Sequence, residues 1–196
     1  MKEIEVKIKL SDEFEPNMFN NEIFVGESFF VRDVYYDTID NTLLRQDKVL
    51  RLRCCGNITL LAYKSSRKEN TEKMIIRDEF ETEVENYDTV DKILLGLDYT
   101  YRDIVEKIRT KLESSFFPDL NVTIDKYPFI GAFMEIEGGE DEICQFLKRY
   151  NIDKNNQDIR NCTEVFLDYC NIKGIQFDNP RINFTFCSEK KLNSKI

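Results

Sequence analysis

Glu3-Ile4-Glu5-Val6-Lys7-Ile8-Lys9-Leu10 decides the fold, because it alternates without a break. Glu3, Glu5, Lys7 and Lys9 hold one parity, and Ile4, Val6, Ile8 and Leu10 hold the other. Side chains on a strand change face at every residue, so this segment is a strand with one charged and one aliphatic face. The pattern recurs downstream. Leu50 and Leu52 alternate with Arg51 and Arg53, while Arg77, Glu79, Glu81 and Glu83 alternate with Phe80, Thr82 and Val84. Thr123 and Asp125 alternate with Val122 and Ile124, and Glu135 and Glu137 with Met134 and Ile136. Segments 28–37 and 58–64 are rich in β-branched and aromatic residues, bounded by Gly56-Asn57 and the polar run Ser65 to Asn70. These readings predict an architecture dominated by antiparallel strands.

Helices are expected between and after the strands. Asp88 can cap Thr89 to Leu95, Gly139-Glu140 introduces Asp141 to Tyr150 with Ile143, Phe146 and Leu147 on one face, and Thr163 to Cys170 resembles a short amphipathic turn. Segment 102–113 reads both ways. Ile104, Val105, Ile108 and Leu112 fit a helix, whereas Val105, Lys107, Arg109 and Lys111 share a strand parity with a basic face; periodicity alone favours the helix. No repeat, low-complexity block or Pro/Gly-rich linker divides the chain, so residues 1–187 are expected to form one domain and 188–196 a mobile tail.

Composition narrows the chemistry. The chain of 196 residues is 41% hydrophobic and 12% aromatic, ample for a core. A formal net charge of -9 argues against coating nucleic acid, which draws on surplus Lys and Arg. No stretch approaches the roughly 20 apolar residues of a membrane span, and Met1 leads directly into charge, so a cytoplasmic protein without membrane partners is expected. Six cysteines lack C-x-x-C spacing and read as free thiols in a reducing compartment. The absence of histidine excludes Ser-His and Cys-His pairs, and any metal must be held by oxygen, which points to Mg, Mn or Ca on carboxylates.

A charged strand face is ordinarily a solvated surface. Here carboxylates recur as Glu-x-Glu pairs (Glu3/Glu5, Glu79/Glu81, Glu135/Glu137), and basic residues gather on other strands (Arg51/Arg53, Lys64, Lys107/Arg109). Residues i and i+2 of a strand point the same way about 6.5 to 7 Å apart, so one pair can place two carboxylates around a divalent ion. Guanidinium and ammonium groups facing them would bind phosphate oxygens. The pattern describes a closed sheet with a charged interior for a metal-polyphosphate, although parity does not say which face is inside.

Glu3-x-Glu5-x-Lys7 resembles the ExExK signature of the CYTH superfamily, the triphosphate tunnel metalloenzymes that include class IV adenylyl cyclases, thiamine triphosphatases and inorganic triphosphatases. Later pieces are similar to that family in order: Tyr35-Tyr36-Asp37-Thr38, Leu50-Arg51-Leu52-Arg53, Tyr63-Lys64, Arg77-Asp78-Glu79-Phe80-Glu81, Lys107-Ile108-Arg109, Thr123-Ile124-Asp125 and Gly131-Ala132-Phe133-Met134-Glu135-Ile136-Glu137. The resemblance covers residues 2 to about 172. It implies an α+β fold built on a closed eight-stranded antiparallel β-barrel with a charged lumen, flanked by helices, and it turns segment 102–113 into a strand.

By the same resemblance Glu3, Glu5, Asp125, Glu135 and Glu137 are candidates for holding Mg2+ or Mn2+. Lys7, Arg51, Arg53, Lys64, Arg77, Lys107 and Arg109 are candidates for binding phosphate, and Glu79 and Glu81 belong to the metal set or to a salt-bridge lattice. Lys7, Glu5 and Glu135 are the expected catalytic residues. The expected activity is metal-dependent hydrolysis of a small-molecule triphosphate, by a monomer or homodimer. The rivals are cyclisation of ATP to cyclic AMP, for which Lys107-x-Arg109 and Thr163 to Leu167 are the cyclase-like features, and a non-catalytic nucleotide- or polyphosphate-binding module. The stretches Ser11 to Glu27 and Ser65 to Lys73 are candidate gates of the tunnel mouth.

Overall fold

The computed structural model describes residues 2–14, 19, 22–68, 74–175 and 182–193. Eight strands, β1 (Lys2–Lys9), β2 (Ile23–Asp37), β3 (Val49–Cys55), β4 (Ile58–Lys64), β5 (Ile75–Glu83), β6 (Thr100–Ser114), β7 (Asn121–Tyr127) and β8 (Gly131–Glu137), pair antiparallel. Their order is β2-β3-β4-β5-β1-β8-β7-β6, and β6 pairs back to β2 from Ile23↔Ser114 to Asp37↔Thr100, which closes the barrel. Closure leaves these strands no open edge to manage. A short strand, β9 (Ile182–Phe184), lies parallel to β6 beside Asp103 to Val105. Among the described residues five α-helices flank the barrel: α1 (Thr42–Arg45), α2 (Tyr87–Gly96), α3 (Glu140–Arg149), α4 (Cys162–Lys173) and α5 (Phe186–Asn193). The α+β class and the eight-stranded closed barrel are those the resemblance implied.

Packing settles the question that parity left open. Val6, Ile8, Val122, Ile124, Met134 and Ile136 form one buried cluster with Ile143, Phe146 and Leu147 of α3. The aliphatic strand faces therefore point out of the barrel into a helical cover. On another side Leu94 of α2 packs on Val34, Tyr36 and Leu52. Fully burying one such side chain stabilises by about 1.5–3 kcal/mol, so the apolar faces recruit the helices and the charged faces are left to the lumen.

One end of the lumen departs from this rule. Val105, Tyr127 and Phe133 share strand parity with Lys107, Asp125 and Glu135, yet they pack with Phe166 of α4 and Phe184 of β9. The Phe166 and Phe184 rings stack at 4.3 Å, and Tyr127 stacks on Phe184 at 5.8 Å. This aromatic plug explains why β6 imitates a helix in sequence. Val105 is apolar on the lumen parity, which breaks the period-2 signal, whereas the observed element is a strand over Thr100–Ser114.

Other boundaries also move. Asn86, not Asp88, caps α2, its side chain accepting from the Thr89 amide at 2.9 Å, so the helix begins at Tyr87. α4 carries a capping box of Asn161 and Glu164 and runs to Lys173, where Gly174 takes φ 65 in the left-handed region. α1, which no periodicity announced, hangs on Asp37, whose carboxylate accepts from the amides of Thr38, Leu43 and Leu44, each at 2.8 Å. Most of the stretch expected to be a mobile tail is helical in α5, and residues 194–196 lie outside the described residues. The candidate gates lie partly outside them too, at 15–18, 20–21 and 69–73. Among the described residues no helix is long and apolar enough to cross a membrane.

Candidate active site

Strand order sorts the lumen by charge. β5, β1 and β8 are neighbours and bring Glu79, Glu81, Glu3, Glu5, Glu135 and Glu137 into one acidic wall. β3 and β4 flank that wall on one side with Arg51, Arg53 and Lys64, and β6 faces it with Lys107 and Arg109. Together they line a cavity of about 720 Å³.

Within the acidic wall, oxygens of Glu3, Glu79 and Glu137 lie within 4.8 Å of one another. Glu3 is buried and its Oε2 has no hydrogen-bond partner. Burial raises the Glu3 carboxyl above its ordinary range, Lys64 opposes that, and Glu79 and Glu137 push it further up. Glu5 is raised in the same way, by burial and then by Glu3 and Glu137 against the pull of Lys64 and Lys7, and it makes no ion pair among the described residues. Glu135 is raised by burial and by Asp125. Crowded carboxylates of this kind are a ligand set for a hard divalent cation, and the orphaned Glu3 oxygen fits one.

The basic wall is held by two buried aspartates. Asp125, 0% exposed, accepts from Arg109 Nε and Nη2 at 2.6 Å each and from Lys107 Nζ at 2.5 Å. Burial would raise its carboxyl, but Lys107 and Arg109 outweigh burial and hold it well below the usual range. Asp33 does the same for Arg53, accepting from Nε at 2.7 Å and Nη2 at 2.9 Å, with Arg51 Nη1 at 3.8 Å. Its carboxyl is likewise held far down, since Arg53 and Arg51 overcome burial. Arg109 also donates to Glu135 at 2.7 Å, and Arg51 pairs with Glu81 at 3.3 Å, so the two walls are stitched together across the lumen.

Two cations stand apart from this lattice. Arg77 is 7% exposed, has an unpartnered Nε and makes no ion pair among the described residues. Lys7 donates to the carbonyl of Arg160 and sits 5.6 Å from the Phe133 ring, with no carboxylate bonded to it among the described residues. Buried cations that bond no carboxylate favour an anionic ligand.

The structure thus brings Glu3 and Glu137 together with Glu79, one of the two residues whose role was open between metal and lattice; the other, Glu81, pairs with Arg51. Glu5 and Glu135 line the same cavity outside that three-oxygen cluster, and Asp125 sits with Lys107 and Arg109 instead. Sequence reasoning missed Asp33, which lies among Val31 and Tyr35 of its parity with no charged alternation to mark it. It also missed Asn161 and Cys162, which line the cavity with Thr163 from the start of α4 and which only tertiary folding delivers there.

A closed antiparallel barrel that sets a carboxylate wall against a cationic one defines a tunnel protein with a charged lumen. The chain belongs to the CYTH family: the CYTH domain model matches residues 1–158. A Methanocaldococcus jannaschii protein, named provisionally as an adenylate cyclase, is 26% identical over 170 residues, covering 80% of this chain and 93% of the relative. Among solved structures, the PH1819 protein of Pyrococcus horikoshii shares the fold with TM-score 0.69 and 24% identity, covering 85% of this chain and 98% of that one. HpAC1 of Hippeastrum, a provisional adenylyl cyclase with a dominant triphosphatase activity, matches with TM-score 0.59 and 17% identity, covering 90% and 98%.

Proposed function

We propose that this protein is a divalent-metal-dependent triphosphatase that hydrolyses an inorganic or organic triphosphate inside the barrel. The observation that carries this reading is the opposition of the two walls, where among the described residues buried Arg77 and Lys7 bond no carboxylate and Glu3 Oε2 has no partner. Glu3, Glu79 and Glu137 would hold Mg2+ or Mn2+, which when bound supplies charge neutralisation for the triphosphate. Arg51, Arg53, Lys64, Arg77, Lys107 and Arg109 bind phosphate oxygens and stabilise charge on the transferred phosphoryl group. Lys7, pinned by the Arg160 carbonyl, orients the terminal phosphate. Glu5, unpaired and with a raised pKa, takes the proton of the attacking water, and Glu135 keeps Arg109 in place. No protein nucleophile is required, which suits a chain without histidine.

Cyclisation of ATP is the second reading, favoured by the name of the Methanocaldococcus relative. Hydrolysis ranks above it because the aromatic end of the lumen is filled by the protein's own Phe166, Phe184 and Tyr127 rings, which leaves those faces stacked on one another instead of on a nucleobase. Purified protein incubated with ATP, thiamine triphosphate or tripolyphosphate, each with Mg2+ or Mn2+, tests both. Orthophosphate release supports hydrolysis, pyrophosphate with cyclic AMP supports cyclisation, and neither product from any substrate refutes both.

A further inference from the structure

Lys64 occupies a position that a phosphate-binding residue alone does not require. Its Nζ lies 2.7 Å from Glu3 Oε1 and 3.1 Å from Glu79 Oε2, so its ammonium bridges two of the three carboxylates in the acidic cluster. The strand register makes this reach possible. Lys64 stands directly opposite Glu79 across the β4–β5 pair, and Glu3 lies one strand further on. An ammonium held on Glu3 Oε1 and Glu79 Oε2 competes with a divalent cation for the same two carboxylates, because like charges at such separation repel strongly in a partly desolvated site. The stem of lysine has four rotatable carbons and its charge is a point, so it can leave one anion for another without the geometric demands of a guanidinium.

We propose that Lys64 is an exchangeable counter-ion that couples metal binding to substrate binding. It neutralises Glu3 and Glu79 until a divalent cation takes those oxygens, and the displaced ammonium then binds a phosphate of the substrate. This inference rests on the metal-dependent triphosphate reading above and adds a consequence to it. Metal and triphosphate must promote each other's binding, reciprocally and by the same factor. Arg51, at 3.8 Å from Glu79 Oε1 and 3.3 Å from Glu81, remains behind as the counter-ion of β5.

Calorimetric titration of Mn2+ into metal-free protein tests this. It is run with and without a non-hydrolysable imido analogue of tripolyphosphate and corrected for Mn2+ bound by the analogue in solution. For the wild type the analogue should tighten Mn2+ about tenfold or more. Lys64→Met and Lys64→Gln should each bind Mn2+ alone about tenfold more tightly than the wild type, since loss of a charge-assisted hydrogen bond removes the competitor. In both variants the analogue should tighten Mn2+ by a smaller factor than in the wild type, the remainder being the direct attraction between metal and phosphate. Circular dichroism melts confirm that the variants fold, and two replacements of different polarity separate loss of charge from loss of shape. If the wild type binds Mn2+ but neither folded variant binds it more tightly, the exchange role is refuted while the metal site stands. If no form binds Mn2+, the metal site itself fails, and the coupling with it.

Discussion

Asp125→Asn is the most demanding test of how the basic wall is built. The wild-type carboxylate is fully buried and neutralises two cations, accepting from Arg109 through both oxygens at 2.6 Å and from Lys107 at 2.5 Å. The amide keeps the shape but removes the charge, leaving two buried cations of which Arg109 alone keeps a bonded carboxylate, Glu135, among the described residues. Breaking a buried ion pair by removing one partner costs about 3–5 kcal/mol. For a domain of this size each kcal/mol corresponds to roughly 2–4 °C, so the melting temperature should drop by about 10 °C at pH 7. The sign with pH follows from the depressed carboxyl of Asp125. Its stabilising effect is fully present above the unfolded value near 3.9 and is lost as pH falls through the lower folded value. The gap between wild type and variant should therefore stay flat from about pH 5 to 8 and close only in stronger acid. Tripolyphosphate without metal supplies the missing negative charge, so it should raise the variant's melting temperature more than the wild type's. Thermal melts and urea denaturation across pH, with and without tripolyphosphate, read all of this. A gap under about 1 kcal/mol at pH 7, or one that widens in acid, would refute the assignment of Asp125 as the shared counter-ion.

Three further outcomes are expected. Glu5→Gln should abolish metal-dependent phosphate release yet leave the melting temperature at pH 7 unchanged or higher. The reason is that a carboxyl whose folded pKa is raised costs stability when ionised, and the difference should vanish as pH falls below the ordinary carboxylate range. Arg53→Ala should weaken tripolyphosphate binding or turnover by about tenfold or more, measured as KM and kcat, because it removes a fork that Asp33 holds in place. Unchanged kinetics would remove Arg53 from the substrate's contacts. Phe166→Ala should cost about 3–5 kcal/mol by urea denaturation, since it deletes a fully buried ring of the plug. A loss below about 1 kcal/mol would show that the plug is not part of the folded core.

Much of the barrel was legible in the chain because a strand writes its two faces at alternating positions. Ile4, Val6 and Ile8 against Glu3, Glu5 and Lys7 state a strand with unlike faces whatever it pairs with, and β3, β5, β7 and β8 repeat the statement. The same local rule failed at β6, where Val105 is apolar on the lumen parity to meet Phe184, and at α1, which depends on a single aspartate instead of a period. The charge types of the site were equally readable: carboxylates in Glu-x-Glu pairs and cations elsewhere.

Only the tertiary structure decided what those charges face. Which side of each strand is inside depends on helices α2 and α3 claiming the aliphatic faces, and the acidic wall exists because the strand order makes β5, β1 and β8 neighbours although β5 and β8 lie far from β1 in sequence. Counter-ion choice is the most remote from sequence. Asp125 joins Lys107 and Arg109, Asp33 joins Arg53, and Lys64 joins Glu3 across 61 positions. Side-chain alternation is fixed by each residue's own backbone, whereas a buried charge is satisfied by whatever group the fold brings within about 3 Å of it.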